Sequence, residues 1–234
     1  MAPEYTPYLP VTTHSGFEGE SPENFEQKCL CVLVVDVSAS MAGEAIQQLN
    51  NGLKEFQKEV LNDFVASQRL EIALVTFGNS AQTLVQPTLA NQIEMPTLVA
   101  NGGTKLVDGV RTALALIEER KKWYKETGQN YYRPMTVLIT DGEPDPDQDV
   151  SGLSQEVGSA IASKKTLFYS LGVKGYNHQK LAQINATPPP LPLDGYKFSE
   201  FFKWLSNSIG IITKSKEGDV LRLPSTNDWT QIQM

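Results

Sequence analysis

Asp36, Ser38 and Ser40 stand at spacings i, i+2 and i+4, directly after the apolar run Leu30-Cys31-Val32-Leu33-Val34-Val35. One carboxylate and two hydroxyls offer hard oxygen donors and neither thiolate nor imidazole, a set suited to Mg²⁺ or Mn²⁺ and not to zinc. Two more oxygen-bearing segments lie downstream. Gly102-Gly103-Thr104 precedes a helical pattern, and Asp141-Gly142-Glu143-Pro144 closes a second apolar run, Val137-Leu138-Ile139. Each segment also has a plainer use. Ser38 and Ser40 can cap a helix or bond a turn, and Thr104 can be a helix N-cap. Only an architecture that gathers all three segments gives them a common chemistry.

The elements that would do so are legible. The first apolar run is short and rich in β-branched residues, the mark of a strand buried on both faces in a parallel sheet. Ile46, Leu49, Leu53, Phe56, Val60 and Phe64 follow at helical spacing. Leu70 to Phe77 reads as a strand, Gly78-Asn79 as a turn, and Ala81 to about Gln86 as its hairpin partner, which makes one antiparallel edge strand. Lys105 to about Lys125 reads as a helix with Leu106, Val110, Leu114 and Ile117 inward. Then come a strand (Thr136–Thr140), a helix (Val150–Ser163), a strand (Thr166–Val173) and a short helix near His178 to Ile184. Pro188-Pro189-Pro190 is a rigid break. A last helix begins near Ser199 as N-cap, with Glu200 in its first turn; its Phe201, Phe202, Trp204, Leu205, Ile209 and Ile212 form a core face or, less simply, a partner-binding face. Alternating β and α units predict an α/β fold: a doubly wound, mostly parallel sheet with helices on both faces. Ligands in such folds bind beyond the carboxyl ends of the strands, where Asp36 and Asp141 fall.

Asp36, Ser38, Ser40, Thr104 and Asp141 match, in order and approximate spacing, the metal-ion-dependent adhesion site of von Willebrand factor type A domains. The stretches VLVVDVSASM, GGTKLVDGV and VLITDGEPD most resemble the stand-alone bacterial TerY-like branch, named for tellurite resistance, over residues 28 to 213. Ala39 stands where that branch commonly has Gly, at a position that is not a ligand. The resemblance implies a Rossmann-like three-layer sandwich and a Mg²⁺ or Mn²⁺ ion held by Ser38, Ser40 and Thr104 together with Asp36 and Asp141, directly or through water. It further implies a partner protein whose Asp or Glu carboxylate completes the shell, without catalysis. TerY-like relatives accompany stress-response gene clusters with kinase-like and phosphatase-like neighbours, so a signalling partner of that kind is expected.

The remaining residues bound this reading. The 234-residue chain has a net charge of −7 and a pI near 5.0, against a nucleic-acid footprint. Residues 1–24 hold four Glu, no Lys or Arg, and Pro3, Pro7, Pro10 and Pro22, which reads as an irregular acidic arm before a domain at 25–213 and a tail at 214–234. No apolar stretch is long enough to span a membrane, and no basic start with an apolar core suggests a signal peptide, so a cytoplasmic location is expected. Cys29 and Cys31 would share a strand face about 7 Å apart, at the limit of disulfide geometry, and read as buried thiols. With only His14 and His178 besides, zinc lacks ligands.

Asp108, four residues beyond Thr104, is a candidate acceptor behind the site or an ordinary first-turn carboxylate. Glu143, Asp145, Asp147 and Asp149 could hold a second cation, but Pro144 and Pro146 break calcium-loop spacing, and a solvated rim is the simpler use. Enzymatic motifs are missing: Gly102-Gly103-Thr104-Lys105 lacks P-loop spacing, no dinucleotide-binding glycine pattern opens a helix, and no nucleophile elbow occurs. The rival is a Mg²⁺-dependent phosphohydrolase with Asp36 as nucleophile. Lys105 favours it, and Ser38, where a second carboxylate is usual, opposes it.

Overall fold

The computed structural model describes residues 22–185, 187–215 and 222–226. Most of the acidic arm therefore lies outside the described residues, as does much of the tail. The described chain forms β1 (Cys29–Asp36), α1 (Glu44–Asn62), α2 (Phe64–Arg69), β2 (Leu70–Phe77), β3 (Ala81–Leu89), α3 (Leu106–Glu126), β4 (Met135–Thr140), α4 (Val150–Ala162), β5 (Leu167–Gly172), α5 (His178–Ile184), β6 (Leu191–Pro192) and α6 (Phe198–Lys214).

Side chains alternate across a strand, so a strand with both faces apolar needs cover on both sides. In β1, Cys29, Cys31, Leu33 and Val35 face a core shared with α1, α2 and α6. Leu30, Val32 and Val34 face a second core built with α3, α4 and α5. The sheet runs β3-β2-β1-β4-β5-β6. All pairings are parallel except β2 with β3. The result is the three-layer α/β arrangement with one antiparallel outer strand that the sequence predicts. β1 is central, and the parallel strands deliver their C-terminal ends to one edge.

Three local readings differ. Phe64 continues the spacing of the α1 stripe, yet it is 78% exposed. Asp63 leaves helical geometry and its carboxylate accepts from Val65 N and Ala66 N, capping a new helix that turns Phe64 outward. Ser199 is not an N-cap. α6 starts at Phe198 after Lys197, which makes no side-chain capping bond, because Phe198 and Phe202 are needed against α1. There Gly52 lets the two helices approach: a Cβ on it would lie 2.7 Å from Phe202 Cδ2 and 2.9 Å from Phe198 Cβ. The third is β6, which follows the proline run as a two-residue strand beside β5 and is too short to leave a periodic signal. At the other side of the sheet, Pro87 falls within β3, where the register with β2 shifts between Ile72 and Leu74.

No helix among the described residues is long and apolar enough to cross a membrane. Cys29 and Cys31 are free and buried. Burial, and for Cys29 also the charge of Glu71, pushes the Cys29 thiol up to about 12; Cys31 is raised by the same burial.

Candidate metal centre

Asp36 ends β1 fully buried. Its Oδ1 accepts from Ser38 N at 2.8 Å, and its Oδ2 accepts from the Thr140 hydroxyl at 2.6 Å. Thr140 ends β4, and the β1–β4 register that pairs Val35 with Ile139 sets it beside Asp36. Sequence reasoning passed over Thr140; its only signal was its place one residue before Asp141. The turn after β1 is a short 3-10 segment, Ala39–Met41, preceded by Ser38, whose side chain makes no capping bond. Instead Ser38 Oγ lies 2.9 Å from Ser40 Oγ, and the Ser40 hydroxyl donates to Asp141 Oδ1 at 2.8 Å. The two serines therefore face the strand-terminal carboxylates and do not cap.

Thr104 arrives from a third loop. The residue at the N-cap of α3 is Lys105, so capping is not the use of Thr104. A Cβ added at Gly142 would stand 3.6 Å from Asp36 Oδ2 and 3.7 Å from Thr104 Oγ1; a bare glycine thus borders the space the two residues share. Main-chain bonds fix the loops to one another: Val37 N to Phe77 O (2.9 Å), Asn101 N to Val37 O (2.7 Å), Ala39 N to Gly102 O (3.0 Å) and Lys105 N to Gly78 O (3.0 Å). Gly102 adopts φ +85 under the Asn79 side chain, whose Oδ1 accepts from Gly103 N at 2.8 Å. A side chain at Gly102 would meet both strain and Asn79.

The five residues are brought to one edge, as the sequence spacing predicts. Burial raises the Asp36 carboxyl to about 6, against hydrogen bonds from Ser38 and Thr140 that favour the ionised form, with the Asp141 charge pushing it further up. Asp141 is also raised, by burial, while the Ser40 hydroxyl works the other way. Two carboxyls sharing one pocket resist joint ionisation, and a dication placed between them removes that penalty. Among the described residues no three His, Cys, Asp or Glu gather to hold a metal; here the donor set is two carboxylates and three hydroxyls, which fits a hard oxygen-seeking ion.

The neighbouring acidic loop is engaged elsewhere. Lys105 Nζ contacts Asp147 at 2.7 Å and Asp145 at 3.4 Å, Arg111 contacts Asp149 at 2.9 Å, and Glu143 accepts from Asn177 at 2.7 Å. It is a solvent-facing rim whose carboxylates are held in ion pairs and hydrogen bonds. Asp108 accepts from Gln148 at 3.2 Å.

Residues 31–143 match the family model described as the von Willebrand factor type A domain. The chain is 29% identical over 148 residues to inter-alpha-trypsin inhibitor heavy chain H3 of Mesocricetus auratus, covering 60% of this chain and 16% of that protein. Among solved structures it resembles the pilus adhesin SpaC of Lactobacillus rhamnosus GG in its open conformation (TM-score 0.62, 16% identity, 81% of this chain and 31% of that one). It also resembles the conserved hypothetical protein BatB of Bacteroides thetaiotaomicron (TM-score 0.54, 17% identity, 80% of this chain and all of that one). The chain thus spans well under half of both the curated relative and the adhesin, and the structural likenesses speak for the fold.

Proposed function

With residues 31–143 matching a von Willebrand factor type A domain, we propose that this protein is a non-catalytic interaction module that binds a divalent cation and, through it, a carboxylate of a partner protein. The observation that carries the reading is the convergence of Asp36, Ser38, Ser40, Thr104 and Asp141 from three loops, with Ser38, Ser40 and Asp141 already linked oxygen to oxygen. These five residues would hold Mg²⁺ or Mn²⁺. With three neutral donors against two carboxylates, a bound ion would supply residual Lewis acidity toward an Asp or Glu carboxylate. Mg²⁺ keeps exchangeable waters that such a group can replace.

A nucleophilic Asp36 is disfavoured because both its oxygens accept hydrogen bonds in the buried site and Lys105 is committed to Asp145 and Asp147. What supports a cytoplasmic stress-response setting of the tellurite-resistance kind, with a kinase or phosphatase as partner, is the resemblance of the three motif stretches to TerY-like proteins.

The test is capture of partners from lysate with Mg²⁺ and with chelator, followed by affinity measurements on the captured partner. Asp36→Ala should abolish the metal-dependent part of binding, and Thr104→Ala should weaken binding more than folding. Equal binding by wild type in Mg²⁺ and chelator, and by both variants, would move the interaction to another face.

A further inference from the structure

The segment from Asp145 to Asp149 lies along the first turns of α3 and supplies what that helix lacks. First-turn amides have no partner within their own helix, and the N-cap residue Lys105 makes no side-chain capping bond. Gln148 Oε1 accepts from Val107 N at 2.7 Å, so one first-turn amide is capped from another part of the chain. Asp147 binds Lys105, and Asp149 binds Arg111 while its Oδ1 accepts from Gly152 N at the start of α4.

Asp145 does something more specific. Its Oδ1 accepts from Thr104 N at 3.1 Å, and its own backbone N donates to Thr104 O at 3.1 Å. Both main-chain groups of Thr104 are thus held by one residue, four positions after Asp141 in the same loop. Pro144 and Pro146 flank Asp145 and restrict its backbone freedom. The carboxylate is spent on this grip: Oδ1 faces Thr104 N, and Oδ2 faces Lys105 at 3.4 Å and lies 3.0 Å from where a Gly103 Cβ would stand.

We propose that Asp145 is a positioning residue of the metal site: it fixes Thr104 against the Asp141 loop before an ion enters, and so sets ion affinity without being a ligand. The inference rests on the metal-binding reading above. Its physical basis is preorganisation, since a donor already held in place costs no further ordering when the ion binds.

The test uses the full chain, titrated with Mg²⁺ by calorimetry, with hydrogen exchange at the Thr104 amide followed in chelator. Asp145→Asn keeps an oxygen acceptor and removes the charge. Asp145→Glu keeps the charge and displaces the acceptor by one methylene. Asp147→Ala breaks a Lys105 ion pair without touching Thr104. Asp145→Glu and Asp145→Ala should weaken Mg²⁺ binding by about 10-fold or more and speed exchange at Thr104, whereas Asp145→Asn and Asp147→Ala stay near wild type. The reverse order, with Asn losing affinity and Glu keeping it, would make loop charge the cause and overturn the proposal. So would unchanged affinity and protection in Asp145→Glu. A wild type that takes up no Mg²⁺ while Thr104 remains protected would remove the metal reading itself, and this one with it.

Discussion

Arg120 grips Glu71 through a two-armed ion pair, 2.8 Å on each arm, buried at the end of β2 opposite to Asp36. The Tyr124 hydroxyl also donates to Glu71, and the Arg120 guanidinium lies 3.8 Å above the Trp123 ring. Taking one partner away strands a charge in the interior. Glu71→Ala should therefore cost about 3–5 kcal/mol, read as a lower urea midpoint. Replacing both residues by Met should recover much of that. Because the pair is remote from the candidate metal centre, variants that fold should bind Mg²⁺ as wild type does.

Saturating metal should stabilise the fold by mass action. At about 100-fold excess over the dissociation constant the gain is about 2.7 kcal/mol. At roughly 2–4 °C per kcal/mol for a chain of this size, that is a rise of about 5–11 °C in Tm. Thermal unfolding in Mg²⁺, Mn²⁺ and chelator checks it, and Asp36→Ala should show no rise. Identical wild-type midpoints in all three conditions would count against a metal site.

Gly52→Ala tests the seam between α1 and α6. Alanine gains about 1 kcal/mol over glycine in a helix, so propensity alone predicts stabilisation. The new methyl would instead enter the space of Phe202 Cδ2 and Phe198 Cβ, and overpacking of this kind costs about 1–3 kcal/mol. A net loss is expected in chemical denaturation; a net gain would mean that α6 yields without strain.

Cys29 and Cys31 should be silent toward thiol reagents. Cys29 is buried with its thiol raised to about 12, so at pH 8 almost no thiolate exists to react. Titration with an aromatic disulfide reagent should detect both thiols only after denaturant is added. Replacing the pair by Val should leave Mg²⁺ affinity intact.

Asp63 gives an acid limb to stability. Burial by itself would raise its carboxyl, but the hydrogen bond from Lys214, the amides of Ala66 and Val65, and the Lys214 charge together hold it below the ordinary value. A group whose folded pKa is depressed contributes fully above its unfolded pKa and loses that contribution as pH falls through the folded one. Wild type should thus lose stability faster than Asp63→Asn as pH drops below about 4. Parallel urea midpoints for the two proteins down to low pH would contradict this.

The central elements were legible because each carries its information locally. Strand β1 is a continuous apolar run, α1 has a stripe from Ile46 to Val60, and Asp36-x-Ser-x-Ser and Asp141 sit where strands end. What escaped notice depends on partners far along the chain. Glu71 and Arg120 are 49 residues apart, and neither has a sequence neighbour that announces the other. The hold of Asp145 on Thr104 spans 41 residues, so the sequence shows the solvated rim but not the grip that one of its carboxylates makes. Phe64 misleads because its spacing fits the α1 stripe, while the Asp63 cap overrides the periodicity.

Proline at both margins of the sheet bears on how the molecule meets others of its kind. β3 is broken by Pro87 at its register shift, and β6 is two residues long, ends in Pro192 and follows three more prolines. An incoming strand would find only an abbreviated ladder on one margin and one missing amide donor, with a break in register, on the other. Edge-to-edge stacking into fibrils or swapped sheets through these two described margins is thereby discouraged.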